Sequence, residues 1–261
     1  MFQRFIALGD SMTEGMNDLI VDGKFRGWAD RVADVLATRE PEFTYVNLAV
    51  RGKLVGQVVE EQLPVALKYI NDISVKKILF SFHAGANDVL RPKYDPEIVI
   101  TRYNQAVAEI AAQGVRVMLF CVLEDFAREG KTGKALAERF RYFNENVRKT
   151  ADEVGAILLD PNPDPFWRNK VFMSWDRLHM NELGHYYAAQ GVLAKLELPH
   201  DPGFREAPSV GLSKSPIDKL RENAHWFVAF LLPWIWRRLR GRSSGDGRVG
   251  KYLSPTRWPI N

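Results

Sequence analysis

Two observations predict a doubly wound α/β fold for this 261-residue chain. Short apolar runs alternate with helical patterns along residues 1–197, as expected when strands and helices alternate in a layered sandwich. The runs are apolar at nearly every position, which fits parallel strands covered on both faces. The first run is 5–8, followed by a helical pattern at 27–38. Next come a run at 44–48, a helix at 55–70, a run at 77–82 and a helix at 96–113. A run at 115–122, a helix at 134–154, a run at 156–159 and a helix at 181–196 complete the alternation. Right-handed crossovers then place the carboxyl ends of all the strands on one edge, where open sheets of this kind bind ligands.

Composition narrows the function. Hydrophobic content of 46% and charged content of 26% are ordinary for a globular protein. The charge is unevenly placed: residues 1–200 sum to −2 and residues 201–261 to +6. A nucleic-acid-binding reading of the whole chain therefore has no support. Cys121 is the single cysteine, so no internal disulfide forms, and its apolar flanks mark it as a small buried strand residue. Neither a Gly-x-Gly-x-x-Gly after the first strand nor a Walker-type loop is present. No cleavable leader is visible, and a cytoplasmic location is expected.

Four short blocks carry the chemistry. Gly9-Asp10-Ser11 ends the first run, Gly52 follows the second, Gly85-Ala86-Asn87-Asp88 follows the third, and Asp176-Arg177-Leu178-His179 precedes the last helix. A serine becomes a nucleophile when a base takes its proton and a third group fixes that base. Ser11, His179 and Asp176 supply those three groups. Alone, Ser11 would read as a helix cap, and Asn87 as a turn former; the presence of all four blocks favours the catalytic reading. On charge chemistry alone His185 is a second candidate base, but it falls within the last helix and reads better as a helix-face residue. Asp10 and Asp88 read as residues that hold the loops. A carboxylate or two-metal site using Asp10, Asp88, Asp176, His83 and His179 is the rival, but no compact ligand spacing supports it.

In this order and spacing the four blocks resemble the SGNH hydrolases, the GDSL-type esterases and lipases, over about residues 1–197. The resemblance implies a three-layer α/β/α sandwich with a central five-stranded parallel sheet of flavodoxin-like arrangement. It implies a serine-dependent hydrolase of carboxylic esters acting through an acyl-enzyme. Ser11, Asp176 and His179 would be catalytic, and Ser11 N–H, Gly52 N–H and the Asn87 side chain would form the oxyanion hole. No metal or organic cofactor is implied. An acyltransferase using the same acyl-enzyme, or a non-catalytic binding or membrane-docking module, is the alternative. The substrate, a small-molecule or lipid ester, is not specified by the blocks. The loops at 17–26, 88–96 and 125–133 would set specificity, and Phe126, Phe166, Trp167 and Trp175 are either pocket lining or core.

The expected boundary lies near residue 200, with a catalytic domain at 1–200 and a basic, Trp-rich extension at 201–261. Within the extension, 208–216 reads as a linker and 217–239 as a helix, and the remainder as extended. The apolar stretch around Trp226–Trp236 is too short to span a bilayer. Three roles fit it: an extra helix packed on the catalytic domain, the favoured reading; a peripheral membrane contact through 217–242, with Arg237, Arg238, Arg240 and Arg242 at the headgroups; or a wall or lid of the acyl pocket or a dimer contact. Oligomeric state is left open.

Overall fold

The computed structural model describes residues 1–124, 130–206 and 215–259, with the backbone alone at Arg238. Phe126, part of the loop at 125–133 and most of the expected linker at 208–216 lie outside the described residues. In chain order the elements are β1 (Arg4–Gly9), α1 (Ser11–Glu14), β2 (Ile20–Val21), β3 (Lys24–Phe25), α2 (Gly27–Ala37), β4 (Thr44–Asn47), α3 (Val55–Gln57) and α4 (Leu63–Leu67). Then follow β5 (Ile78–His83), α5 (Ala86–Val89), α6 (Pro96–Ala112), β6 (Arg116–Phe120), α7 (Lys131–Val154), β7 (Ile157–Leu159) and α8 (Glu182–Lys195). The C-terminal region adds α9 (Pro216–Trp226), α10 (Leu232–Leu239) and β8 (Tyr252–Arg257).

The five expected strands are parallel and lie in the order β7-β6-β5-β1-β4. Alternation along each strand sends neighbouring residues to opposite faces. Ile6, Leu8, Phe80, Phe82 and Leu119 pack with Tyr103 and Val107 of α6 and Phe140 and Phe143 of α7 on one side. Phe5, Ala7, Tyr45, Leu79 and Met118 pack with Trp28 and Val32 of α2 and Val192 and Leu193 of α8 on the other. A strand buried on both faces needs apolar residues throughout, and all six residues of β1 are buried. The small β2–β3 hairpin stands apart from the main sheet.

Where five parallel strands were expected, the sheet has six. β8 pairs antiparallel with β4, with Thr44 opposite Arg257 and Tyr45 opposite Thr256. The strand is held by aromatic packing: Tyr45 lies 5.5 Å from Tyr252 and 5.1 Å from Trp258, centroid to centroid. Trp258 Nε1 donates to Asp34 Oδ1 at 2.8 Å. Just before the strand, the buried Lys251 ammonium reaches Asp30 and the carbonyl of Phe25. Burial raises the Asp30 carboxyl to about 6 although Lys251 opposes the rise. Pro255 sits in this strand, at the sheet's edge, where a missing N–H is tolerated.

Two expected helices are interrupted by a π turn, at Val58–Gln62 and at Phe227–Leu231. Each precedes a proline by two residues, Pro64 and Pro233. A proline within an α-helix removes a donor and crowds the preceding turn. The wider π register is one way to absorb that defect while the chain stays helical.

Candidate active site

The carboxyl ends of β1, β4 and β5 bring together three blocks that lie far apart in sequence. Gly9, at the end of β1, is clasped by Gln62 of the first π turn: Gly9 N–H donates to Oε1 and Gln62 Nε2 donates to the Gly9 carbonyl, both at 2.9 Å. Asp10 then caps α1 by accepting from Met12 N–H at 3.1 Å. Ser11 is the first residue of α1 and is 7% exposed, so its hydroxyl is held by a fixed backbone at the floor of an opening.

Asp176 organises the loop that carries His179. Its Oδ1 accepts the backbone N–H groups of Leu178 and His179, both at 3.0 Å, which folds the loop around the carboxylate. Its Oδ2 accepts from Asn17 Nδ2 and from His179 Nδ1, both at 2.7 Å. Burial by itself would raise the Asp176 carboxyl, but the hydrogen bonds, that of His179 foremost, carry it below the usual carboxylate range. An ionised carboxylate only accepts, so Nδ1 carries a proton, and in the neutral ring Nε2 is the bare nitrogen. His179 Nε2 lies 2.9 Å from Ser11 Oγ. At the far end of the loop, Asn181 caps α8 through Gly184 N–H at 2.9 Å, and its own N–H donates to the Phe172 carbonyl at 2.9 Å.

Gly52 stands in the loop after β4 with φ = +75°, a left-handed conformation that favours glycine. The loop is tied on both sides. Glu14 of α1 accepts from Arg51 N–H at 2.6 Å and from Arg51 Nε at 2.9 Å. Asp88 Oδ2 accepts from Val55 N–H at 2.9 Å. Burial pushes the Asp88 carboxyl up to about 6. The N–H groups of Ser11 and Gly52 have no hydrogen-bond partner among the described residues. Asn87 lies at the same opening, with Nδ2 directed to Asp10 Oδ2 at 3.0 Å and to the Lys53 carbonyl at 3.2 Å. Gly85 is required ahead of it, because its φ is +118° and a Cβ would meet the Phe143 ring at 2.2 Å.

Ser11, Gly52, Asn87, Asp176 and His179 therefore line one cavity of about 220 Å³. The extension supplies another wall: Ala229, Phe230, Trp234, Arg237, Ser243 and Ser244 also face it. Trp226 Nε1 donates to the Asp176 carbonyl at 2.8 Å, and Arg177 donates to Asn223 at 2.6 Å. Trp175 lines the cavity and packs its ring against Phe230, centroids 6.1 Å apart. Phe166 and Trp167 do not line it. They pack with Phe172 against α8, where Phe166 and Phe172 also meet Tyr187.

Several sequence readings find their place here. Asp10 and Asp88 hold loops, through Asn87 and Val55. His185 is fully buried, with Nε2 3.0 Å from the Met16 carbonyl, and burial lowers it to about 4. His83 is buried against the Phe120 ring, and burial holds it below the usual imidazole range. Burial pushes the Cys121 thiol up to about 12. Among the described residues, no group of three His, Cys, Asp or Glu is placed to hold a metal. Asn17 and Ser243 were not singled out from the sequence, and Trp226 was expected only to pack against the catalytic domain as part of an extra helix. Asn17 alone had a local signal: asparagine tolerates the left-handed backbone it adopts, φ = +71°.

The layered α/β sandwich thus brings a serine at the end of β1 together with a carboxylate and a histidine from the loop before α8 at one opening. The chain belongs to the GDSL-like lipase/acylhydrolase family, whose model matches residues 7–187. Membership makes it an ester hydrolase. Solved structures of similar fold include LAE5, an alpha/beta hydrolase enzyme from the metagenome of Lake Arreo, at 21% identity and TM-score 0.57, covering 75% of this chain and 95% of that one. The acetylxylan esterase Axe2 from Geobacillus stearothermophilus aligns at 18% identity and TM-score 0.56, covering 74% and 94%. A lipolytic G-D-S-L family protein from Veillonella parvula aligns at 21% identity and TM-score 0.56, covering 73% and 96%. At these identities the likeness is one of fold. No curated protein is found to match the sequence. Among the described residues, no helix is long and apolar enough to cross a membrane.

Proposed function

We propose that the chain hydrolyses carboxylic esters through an acyl-enzyme on Ser11. The observation that carries this reading is the series Ser11 Oγ to His179 Nε2 at 2.9 Å and His179 Nδ1 to Asp176 Oδ2 at 2.7 Å. In the first step His179 Nε2 takes the Ser11 proton as Oγ attacks the ester carbonyl carbon. The imidazolium that forms is stabilised by the Asp176 anion. His179 then returns the proton to the leaving alkoxide, and the alcohol departs. Water, deprotonated by the same nitrogen, attacks the acyl-serine; as the bond to Oγ breaks, His179 returns that proton to Ser11 Oγ and the acid is released.

Negative charge on the former carbonyl oxygen is met by the N–H groups of Ser11 and Gly52, which are free of other partners among the described residues. Asn87 would supply the third donor by turning the amide hydrogen now directed to the Lys53 carbonyl, the longer of its two bonds at 3.2 Å. Asp10 would keep the amide in place through the other hydrogen. Each such donor contributes roughly 3 kcal/mol to the transition state.

The cavity, about 220 Å³, is smaller than the roughly 300–1,000 Å³ typical of sites for drug-sized ligands. That favours a short acyl group. Hydrolysis of p-nitrophenyl esters from acetyl to palmitoyl, by the wild type and Ser11→Ala, tests the reading. Activity is expected to be greatest with short chains and to vanish in the variant. Hydrolysis that survives in Ser11→Ala would reject the mechanism.

A further inference from the structure

The helical segment formed by α9, the second π turn and α10 has two different faces, and the site explains only one. Asn223, Trp226, Phe230, Trp234 and Arg237 recur at intervals of three, four, four and three residues and meet the loop at Asp176 or line the cavity. The other face carries Leu220, Ala224, Val228, Leu232, Ile235 and Leu239, at intervals of four, four, four, three and four. It is apolar and bare: Leu220 is 70% exposed, Val228 64% and Leu239 77%. A continuous apolar stripe on a helix normally faces a core or a partner, so this face lacks its cover.

Charge identifies the cover. Residues 216–242 hold six Lys and Arg against two carboxylates, Asp218 and Glu222; the excess lies at the C-terminal end, in the arginines at 237, 238, 240 and 242, of which Arg237 and Arg242 also line the cavity. Arg240 and Arg242 are exposed, and the Arg240 guanidinium lies over the Trp236 ring at 4.2 Å. The region 201–261 as a whole carries 11 basic and 5 acidic residues. A second copy would offer the arginines either their own kind or the neutral segment 216–226, where Lys219 and Arg221 balance Asp218 and Glu222, whereas an anionic surface with an apolar interior meets both features. The length and polarity suit a helix that lies in the headgroup plane.

We propose that the outward face of residues 216–239 docks on an anionic lipid bilayer. The inner face of the same helix walls the cavity, so docking seats the cavity mouth at the level of the headgroups.

The test is co-sedimentation with vesicles of phosphatidylglycerol and phosphatidylcholine, using the full chain carrying Ser11→Ala so that binding is read without turnover. Binding is expected, weakened by salt and by vesicles of phosphatidylcholine alone. The triple substitution Val228→Glu, Ile235→Glu and Leu239→Glu should weaken it by more than about tenfold. In the otherwise wild-type chain the same triple should leave hydrolysis of a water-soluble ester unchanged, which also shows that the variant is folded. Since the binding arm needs no chemistry, it stands or falls apart from the hydrolase reading. Where the triple misfolds, Leu239→Glu alone replaces it, with a smaller loss expected. Equal binding by variant and parent, no binding at low salt, or a dimer in vesicle-free solution that the triple dissociates would overturn the proposal.

Discussion

The indole Nε1 of Trp226 donates a 2.8 Å hydrogen bond to the backbone carbonyl of Asp176. The bond ties the C-terminal extension to the loop that carries both Asp176 and His179, 50 residues away in the chain. Trp226→Phe keeps an aromatic ring but removes the donor, a loss of about 1 kcal/mol for a neutral bond. The expected result is a kcat/KM several-fold lower on a soluble ester, with little change in thermal unfolding. An unchanged kcat/KM would mean that the extension rests on the loop without positioning it.

Gly52 and Ser243 form a second link between the extension and the site. A Cβ on Gly52 would lie 2.0 Å from Ser243 Oγ, at a backbone φ of +75°. Gly52→Ala is therefore expected to lose both stability and activity. Adding Ser243→Ala removes the colliding oxygen and should restore part of the loss. The remainder reflects the left-handed backbone, about 1–2 kcal/mol. Chemical unfolding and kcat/KM of the single and double variants measure the two parts, and no recovery in the double variant would count against this contact.

Asn87 is placed by Asp10, so the two should differ in kind. Asn87→Ala removes a proposed oxyanion donor and should lower kcat on the order of a hundredfold or more with KM little changed. Asp10→Asn leaves the donor and weakens only its support, so a smaller fall is expected. Steady-state kinetics on one ester rank the pair, and equal losses would contradict the assignment.

Asp88 makes stability depend on pH in a stated direction. Burial raises its carboxyl from 3.8 to about 6. Between those values the folded chain holds a proton that the unfolded chain has released. The contribution is present below about pH 4 and is lost as pH rises through about 6, up to roughly 3 kcal/mol in all. Asp88→Asn removes this titration but keeps an oxygen that can accept from Val55 N–H. The stability of the variant relative to wild type should therefore increase between pH 4 and 7 in urea unfolding. A difference that stays flat across that range would show that Asp88 is not perturbed.

Much of this was legible in the sequence because it is local. Runs such as Phe5–Leu8 are apolar at every position since β1 is covered on both faces. The block at Asp176–His179 is legible because the carboxylate folds its own loop over three residues. What could not be read depends on contacts between distant segments. Antiparallel pairing of β8 is set by Tyr45, Tyr252 and Trp258, and the anchoring of the extension by Trp226 and Ser243. Nothing in the local pattern at 226 or 243 shows what those side chains will meet. The π turns were also hidden, although Pro64 and Pro233 mark where a regular helix had to yield.

Hydrolysis by the proposed route requires that Ser11 itself react as the nucleophile. Reaction with a fluorophosphonate ester, followed by peptide mass mapping, tests it most directly, in the wild type and in His179→Ala. One adduct is expected, on Ser11, forming far more slowly when His179 is replaced. No adduct on Ser11 in wild type, or labelling of another residue that abolishes hydrolysis, would contradict it.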